Sequence, residues 1–592
     1  MTMEQPSALS AERWQRAGCR LLSKILSELA YEELLTPLPL GGGRYRLDLT
    51  GGVSYTFTAR RRLFDSWRVD GRSIERHQGQ TVAPAGDPLR FILDAYQTMG
   101  MAPSTTAHLI RELTSTLVAD AHLAETATAG AAELADLDYA QLEGKMTGHP
   151  WIVVNKGRLG FSYADYRRYA PEAQTRLRLP WMAAHRSLAT YQAVPNLDQR
   201  RLLAMELDGA SREGFAATIR ARGAEPDAYH LLPVHPWQWE HVVVPLFAPQ
   251  VAAGGIIALG QGPDDYLAQQ SIRTFTNVTT PLRHHVKLPL SIFNTLVWRG
   301  LPNERTVAAP RVTEFVTGIR DADPFLSEEC RLILLGEVAS VNVTHTTLES
   351  IPGAPYQYRE LLGCIWRESI FATLTPGERA RTLASLLHVD PHGEPLIAPL
   401  VARSGLDVAT WLERLFGAIL PPLLHYLYRY GVVFSPHGEN AIVVFDERDV
   451  PTRLAIKDFV DDVNVSDQPL PELEAMPADV AAVLLREPPD FLCQFIQSGL
   501  FICHLRYLSD LVEEHFGLEE RAFWGLVRRQ VLAYQARFGE LAERFRCFDL
   551  LAPDLARLCL NRNRLLVDGY ADRPARPHAA VHGRVPNPLA LP

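Results

Sequence analysis

QQSIRTFTNVTTPLRHHVKLPLSIFNTLVWR, residues 269–299, is the stretch around which the chain is read. It sets Ser271, Arg273, Thr274, Lys287, Asn294, Thr295 and Arg299 into a segment otherwise fit for a core. Val286 to Leu296 is mainly apolar, yet a lysine and an Asn-Thr pair interrupt it. Burying a charge without a partner is costly. Such a lysine therefore has either an anion to meet or an aliphatic stem laid along the surface. Three fixed cations (Arg273, Lys287, Arg299) with small hydroxyls between them suit a polyanion such as a nucleotide triphosphate. The alternative is an ordinary element with solvated Arg and Lys ends.

A second cluster follows in GVVFSPHGENAIVVFDERDVPTRLAIKDFVDD. Ala441 to Phe445 and Arg453 to Phe459 read as two strands joined by a polar turn. His437, Glu439 and Asn440 precede the first strand, while Lys457, Asp458, Asp461 and Asp462 end the second. A hairpin brings those two ends together, so Asn440, Asp458 and Glu439 can face one site. Amide oxygen plus carboxylate is what Mg²⁺ accepts, with water and phosphate completing its octahedron. The competing reading is a solvated acidic turn.

Upstream, EGKMTGHPWIVVNKGRLGFSYADYRRYAPE places His149, Lys156 and Arg158 around a strand-like Trp151 to Val154, a group able to grip a carboxylate or phosphate. In LLPVHPWQWEH, Pro233 and Pro236 exclude a regular helix and hold His235 and Gln238 on a stiff loop, candidates with His149, Lys156 and Arg158 for substrate contacts. A packed aromatic corner is the simpler account of that loop. Further out, residues 11–35 have helical periodicity through Leu22, Ile25, Leu26 and Leu29. RYRLDLTGGVSYTFTARR alternates as a hairpin around Gly51-Gly52. Residues 87–145, 310–430 and 470–570 read as mostly helical, and Tyr358 to Glu368 as a buried helix whose Arg359, Glu360, Arg367 and Glu368 are paired ions. The ranges expected are an N-terminal helix and hairpin unit to 140, a central region 141–400, a helical region 401–571 and a Pro-rich tail 572–592.

The chain has 592 residues, 47% hydrophobic and 21% charged, the balance of a globular protein with more than one lobe. A formal net charge of -9 argues against a non-specific nucleic-acid binder. Seven scattered cysteines without a CxxC fit a reducing compartment and neither a disulfide framework nor a zinc site. The first residues lack a basic and apolar leader, and the apolar runs are too short to span a bilayer, so a cytoplasmic enzyme is expected.

GHPWIVVNKGRLGFS, LLPVHPWQWEH, AQQSIRTFTN, VKLPLSIFNT with Arg299, HGEN and KDFVDD, in that order, resemble the NRPS-independent siderophore synthetases, the aerobactin synthetase (IucA/IucC) family. The resemblance implies an α+β, cupped-hand architecture of thumb, fingers and palm with a central ATP cleft, and a homodimer. It implies that Ser271, Arg273, Thr274, Lys287, Asn294, Arg299, His437, Asn440 and Asp458 line a nucleotide and carboxylate site, with Arg299, His437 and Lys287 catalytic. The implied cofactors are ATP and Mg²⁺, and the partners a small-molecule carboxylate and an amine. ATP activates the carboxylate as an acyl-adenylate with loss of pyrophosphate, and the amine then forms an amide and releases AMP.

Members that condense free citrate often carry a second His-Pro after GHP, where this chain has Ile152 and Val153. The motifs look instead like the desferrioxamine and alcaligin synthetase subgroup. Those enzymes use a monosubstituted citrate or a succinyl-hydroxamate acid. Arg557, Arg562 and Arg564 are candidates for a C-terminal cation directed at the acid. HGEN and KDF also loosely resemble small-molecule kinases, which makes a phosphotransferase the alternative. A ferric-siderophore reductase would need clustered cysteines, and Cys547 and Cys559 are too sparse.

Overall fold

The Ser10 side chain accepts a hydrogen bond from the Arg13 amide and starts α1 (Ala11–Tyr31) in a computed structural model that describes residues 5–577 and 579–590. Leu22, Ile25, Leu26 and Leu29 form its buried stripe. The helix stops short of the expected residue 35 because Glu33 turns left-handed at φ 55°. β1 (Arg44–Leu49) and β2 (Val53–Arg61) make the expected hairpin, with Leu49 opposite Val53. α2 (Pro103–Thr126) packs across α1. The apolar cluster of this unit also takes in Ile152, Val153, Val154 and Leu565, so its packing reaches beyond residue 140.

The alternation around Lys287 is explained by an eight-stranded sheet, antiparallel throughout. Its strands are β3 (Leu177–His185), β4 (Ala189–Ala193), β5 (Tyr229–Pro233), β6 (Ile256–Ala268), β7 (Thr274–Asn277) and β8 (His285–Lys287). The hairpin β9 (Leu290–Asn294) and β10 (Val297–Arg299) follows, and β11 (Glu337–Val343) and β12 (Gly363–Arg367) complete the sheet in the order β4-β11-β12-β8-β7-β6-β3-β5. Phe275, Val286 and Trp366 are register partners, and with Ala339 they enter one apolar core. Since side chains alternate in a strand, Thr274, Lys287, His285 and Arg367 point to the other face, and a β-bulge between Glu337 and Ala339 turns Glu337 there too. One face is core and the other carries charge.

Several expected helices give way to strands here. Within 310–430, α3 (Asn303–Ala322) ends near residue 322 and is followed by β11 and β12. Tyr358–Glu368 is a short helical turn and then β12, because burial on both sides of a sheet favours the Cys-Ile-Trp run as a strand. Trp151 to Val154, expected as a strand, is a turn. After Pro233 the chain does form helical turns, Pro236–Gln238 and Trp239–Val243, since proline is tolerated at a helix's first position.

α4 (Val408–His425) packs against β13 (Ala441–Phe445) and β14 (Pro451–Ile456), and α5 (Glu520–Arg537) packs on α4, in the largest core. Ile333–Leu334 and Arg379–Thr382 flank that hairpin in a four-stranded sheet. The Pro-rich segment after Asp572 is not a free tail. Its β16 (Ala580–Pro586) pairs antiparallel with β15 (Asp554–Cys559). His578 and residues 591–592 lie outside the described residues.

Candidate active site

The charged face of the sheet, the β9–β10 hairpin and the ends of β13 and β14 enclose a cleft of about 1770 Å³. Lys287 Nζ hydrogen-bonds Asp458 and reaches Asp461 at 2.8 Å and Glu337 at 3.7 Å. Burial alone would lower its pKa, but Asp458, Asp461 and Glu337 outweigh that and raise it, so the ammonium stays charged. Arg367 bridges Glu337 at 3.3 Å and Asp458 at 3.1 Å. Arg273 donates to the Gly300 carbonyl and lies 3.4 Å from Asp461. Burial would raise the Asp458 carboxyl, yet Lys287 and Arg367 hold it well below the usual range.

Arg299 ends β10 and donates to Thr295 Oγ1, while its buried Nε lacks a hydrogen-bond partner among the described residues. Burial and the neighbouring Arg273 and Arg576 bring its pKa down to about 9. A cation crowded this way is stabilised by an anionic ligand. Ser271, Thr274 and Asn294 also line the cleft, and Ser271 Oγ accepts from the Thr274 amide at 3.2 Å. Ile272, Thr295 and Asp458 adopt φ of 61°, 58° and 74°. For a β-branched residue such as Ile272 this conformation is strained, and strain of this kind clusters at functional sites.

The hairpin ends meet as the sequence predicts. Asn440 donates to Asp462 at 2.6 Å. His437, Glu439, Asn440, Asp458, Asp461 and Asp462 all line the cleft. Gly438 fits because a Cβ there would lie 3.1–3.2 Å from Ala384. His437 Nδ1 accepts the Glu439 amide at 3.2 Å, which leaves Nε2 as the proton-bearing nitrogen. Burial, with Lys457 and Arg299, lowers that imidazole to about 4 against the pull of Asp458.

Of the expected substrate contacts, only His149 lines the cleft. Lys156 is buried against Asp120 at 2.8 Å, and Arg158 makes a paired bridge to Glu172 at 2.8 Å. His235 caps the turn after it by accepting from the Trp237 amide at 3.0 Å. Gln238 joins Ser291 at 2.9 Å to the Leu361 carbonyl at 2.7 Å. These four are framework residues, because the hydrogen bonds and ion pairs each makes lie inside the fold and none lines the cleft. Arg557 pairs with Glu33, Arg562 with the Glu32–Glu33 backbone, and Arg564 lies over Phe293 and Tyr570. The C-terminal cation in the cleft is Arg576 instead, held by Glu360 at 2.6 Å and the Gly300 carbonyl at 3.1 Å. Its position in a Pro-rich stretch carries no sequence signal. Glu337 and Arg367 were also hidden, being single charges in apolar strands.

Chain-wide comparison settles the family. The IucA / IucC family profile matches residues 138–388. The rhizobactin siderophore biosynthesis protein RhbF of Rhizobium meliloti (strain 1021) is 45% identical over 99% of this chain and 97% of its own. The chain belongs to the IucA/IucC family. A putrebactin synthase of Shewanella sp. (strain MR-4) is 33% identical over 99% of this chain and 93% of its own. The solved aerobactin synthetase IucC from a hypervirulent pathotype of Klebsiella pneumoniae superposes with a TM-score of 0.86 at 30% identity, covering 98% and 99% of the two chains. The α+β architecture of this IucA/IucC-family chain is thus that of a siderophore synthetase, and the phosphotransferase alternative finds no support.

A second profile, described as ferric iron reductase FhuF-like transporter, matches residues 409–573. All seven cysteines of the family member are free, four of them buried, and no helix among the described residues is long and apolar enough to cross a membrane. Where a second His-Pro would stand, Ile152 and Val153 are both buried in the N-terminal core, with Ile152 also at the edge of the cleft next to His149.

Proposed function

We propose that the cleft adenylates a carboxylate with ATP and transfers the acyl group to an amine, making an amide bond of a siderophore. The observation that carries this is one cavity holding Arg273, Lys287 and Arg299 against Asn440, Asp458 and Asp462. At about 1770 Å³ it exceeds the usual 300–1,000 Å³ of a single small-ligand pocket, leaving room for nucleotide and both substrates. A carboxylate oxygen attacks the α-phosphorus and pyrophosphate leaves. The amine nitrogen then attacks the acyl carbon, AMP leaves with the carboxylate oxygen, and the amine gives up a proton. Negative charge grows on the α-phosphate oxygens in the first step. The guanidinium of Arg299, the Lys287 ammonium and the His437 Nε2–H are preorganised donors for it. Ser271, Arg273, Thr274 and Asn294 orient the nucleotide and acid.

Mg²⁺ fits the acidic side of the cleft. Burial and the nearby Asp458 and Asp461 push Asp462 up to about 8, a crowding of carboxylates that a dication relieves. Glu439 Oε2 is buried without a hydrogen-bond partner among the described residues. Among the described residues no three His, Cys, Asp or Glu side chains are grouped to hold a metal, so phosphate and water would have to complete the shell of such an ion. Asn440, Asp458 and Glu439, with Asp462, would hold it, and it would neutralise phosphate charge.

The donor is read as an acid with one free carboxylate on a longer, partly apolar arm, because the buried apolar pair Ile152 and Val153 stands where a second His-Pro would add a polar group beside His149. An N-hydroxy-N-succinyl-diamine, oligomerised or macrocyclised, and a citrate monoamide both meet that description. Carboxylate-dependent ATP–pyrophosphate exchange requiring Mg²⁺ is expected, and ADP and phosphate without AMP would sink the mechanism. Mass spectrometry of products from citrate, a citrate monoamide and N-hydroxy-N-succinylcadaverine, each with ATP and an amine, tests the donor. Product from free citrate alone would refute the donor reading and leave adenylation standing.

A further inference from the structure

The wall of the cleft around His149 is braced by a residue 125 positions earlier in the chain. Lys24 of α1 donates to the His149 carbonyl at 2.6 Å and to the Ile152 carbonyl at 2.8 Å. Asn155 Nδ2 adds a bond to the His149 carbonyl at 3.1 Å, and Asn561 accepts from the Val153 amide at 3.0 Å. The loop so pinned turns its own Trp151 and Ile152 amides onto His149 Nδ1, at 3.2 and 3.1 Å. Two N–H donors on one ring nitrogen require a lone pair there, so the ring proton sits on Nε2. That nitrogen lies 3.5 Å from Cys503 Sγ, another residue of the cleft wall.

We propose that Lys24 is a positioning residue for the acid-binding end of the cleft: by holding the carbonyls of His149 and Ile152, it fixes the loop that presents His149 as a neutral Nε2–H donor to a substrate oxygen. This rests on the reading that the cleft binds a carboxylate donor. Without the Lys24 side chain, the His149 and Ile152 carbonyl oxygens lose a hydrogen-bond donor, and the loop relaxes toward solvent to recover it. The amides then leave Nδ1 and the ring is free to take either tautomer. Burial, with Lys24 and Arg299 nearby, also keeps the imidazole pKa well below its ordinary value, so the ring is unprotonated in the cleft. Lys24 does not need to touch substrate for this. It acts through the ring it orients.

Nitrogen-15 NMR of histidine-labelled full-length protein, with the His149 signals assigned by difference from His149→Ala, tests the inference directly. The unmodified protein is expected to hold a single Nε2–H tautomer. Lys24→Met and Lys24→Gln are expected to give a mixture, and Lys24→Arg, which still donates to both carbonyls, to keep the single form. An unchanged single tautomer in folded Lys24→Met and Lys24→Gln overturns the proposal. Exchange kinetics with N-hydroxy-N-succinylcadaverine give the second readout. Lys24→Met should raise KM for the acid about tenfold with kcat within about threefold, and add nothing further to His149→Ala. Additive losses in the double variant, or a fall mainly in kcat, overturn it as well. No exchange with this acid in the unmodified enzyme refutes the donor reading alone, and the tautomer still decides Lys24.

Discussion

At the scale of single residues, Arg299 carries the sharpest prediction. Its guanidinium is buried beside two other arginines and keeps one N–H without a partner among the described residues. Arg299→Ala is expected to lower turnover about a hundredfold or more, the usual effect of removing one preorganised donor, while thermal unfolding stays near that of the parent. Arg299→Lys should remain impaired, since a point charge cannot reproduce a planar fork. Near-parental turnover in folded Arg299→Ala would remove the residue from the site. His437→Ala is expected to behave alike, because its Nδ1 is committed to the loop and only Nε2–H faces the cleft.

At the scale of elements, two connections are predicted to do different work. The Arg158–Glu172 bridge is buried and paired at both nitrogens, so Glu172→Gln should cost about 3–5 kcal/mol of stability with turnover retained. Burial by itself raises the Glu172 carboxyl, but Arg158 outweighs that and holds it below its ordinary value of 4.5. Its stabilisation is therefore complete above that ordinary value and lost as pH falls through the depressed one. The gap between parent and Glu172→Gln should shrink below about pH 4, and a gap that widens on acidification would contradict the assignment. The His437–Asn440 turn contrasts with it. An added Cβ at Gly438 meets the Ala384 backbone, so Gly438→Ala should shift the turn and reduce exchange activity by more than its loss of stability explains. Equal losses in both measurements would make the turn only structural.

At the scale of the whole molecule, the C-terminal segment closes one wall of the cleft. Arg573 O accepts from the Tyr356 amide at 2.8 Å, Arg359 donates to the Pro574 carbonyl at 2.8 Å, and Arg576 pairs with Glu360. Deleting residues 572–592 should lower both stability and activity, since β16 covers β15. Arg576→Ala separates the two effects: KM for the acid or ATP should rise about tenfold with the unfolding temperature little changed. An unaltered KM would leave Arg576 a purely structural tie. The homodimer implied by family resemblance is testable by sedimentation, with a single species near twice 66.1 kDa expected.

The local chemistry was legible in the sequence itself. A lysine flanked by apolar residues needed either an anion or a surface for its stem, and HGEN and KDFVDD on one hairpin needed to converge; both follow from burial cost and strand periodicity. The helix at residues 11–31 and the hairpin at 44–61 were legible for the same reason, since each has a single apolar face. What the sequence left open was partner choice over long separations. Tyr358–Glu368 has apolar residues that suit a buried helix or a buried strand, and only the neighbouring β8 and β11 decide between them. Lys156, Arg158, His235 and Gln238 look like ligand-binding residues by type, yet their partners sit inside the fold. Lys24 and Arg576 stand more than 550 residues apart and line the same cleft, a proximity that no local pattern encodes because it is set by how the sheets and helices pack.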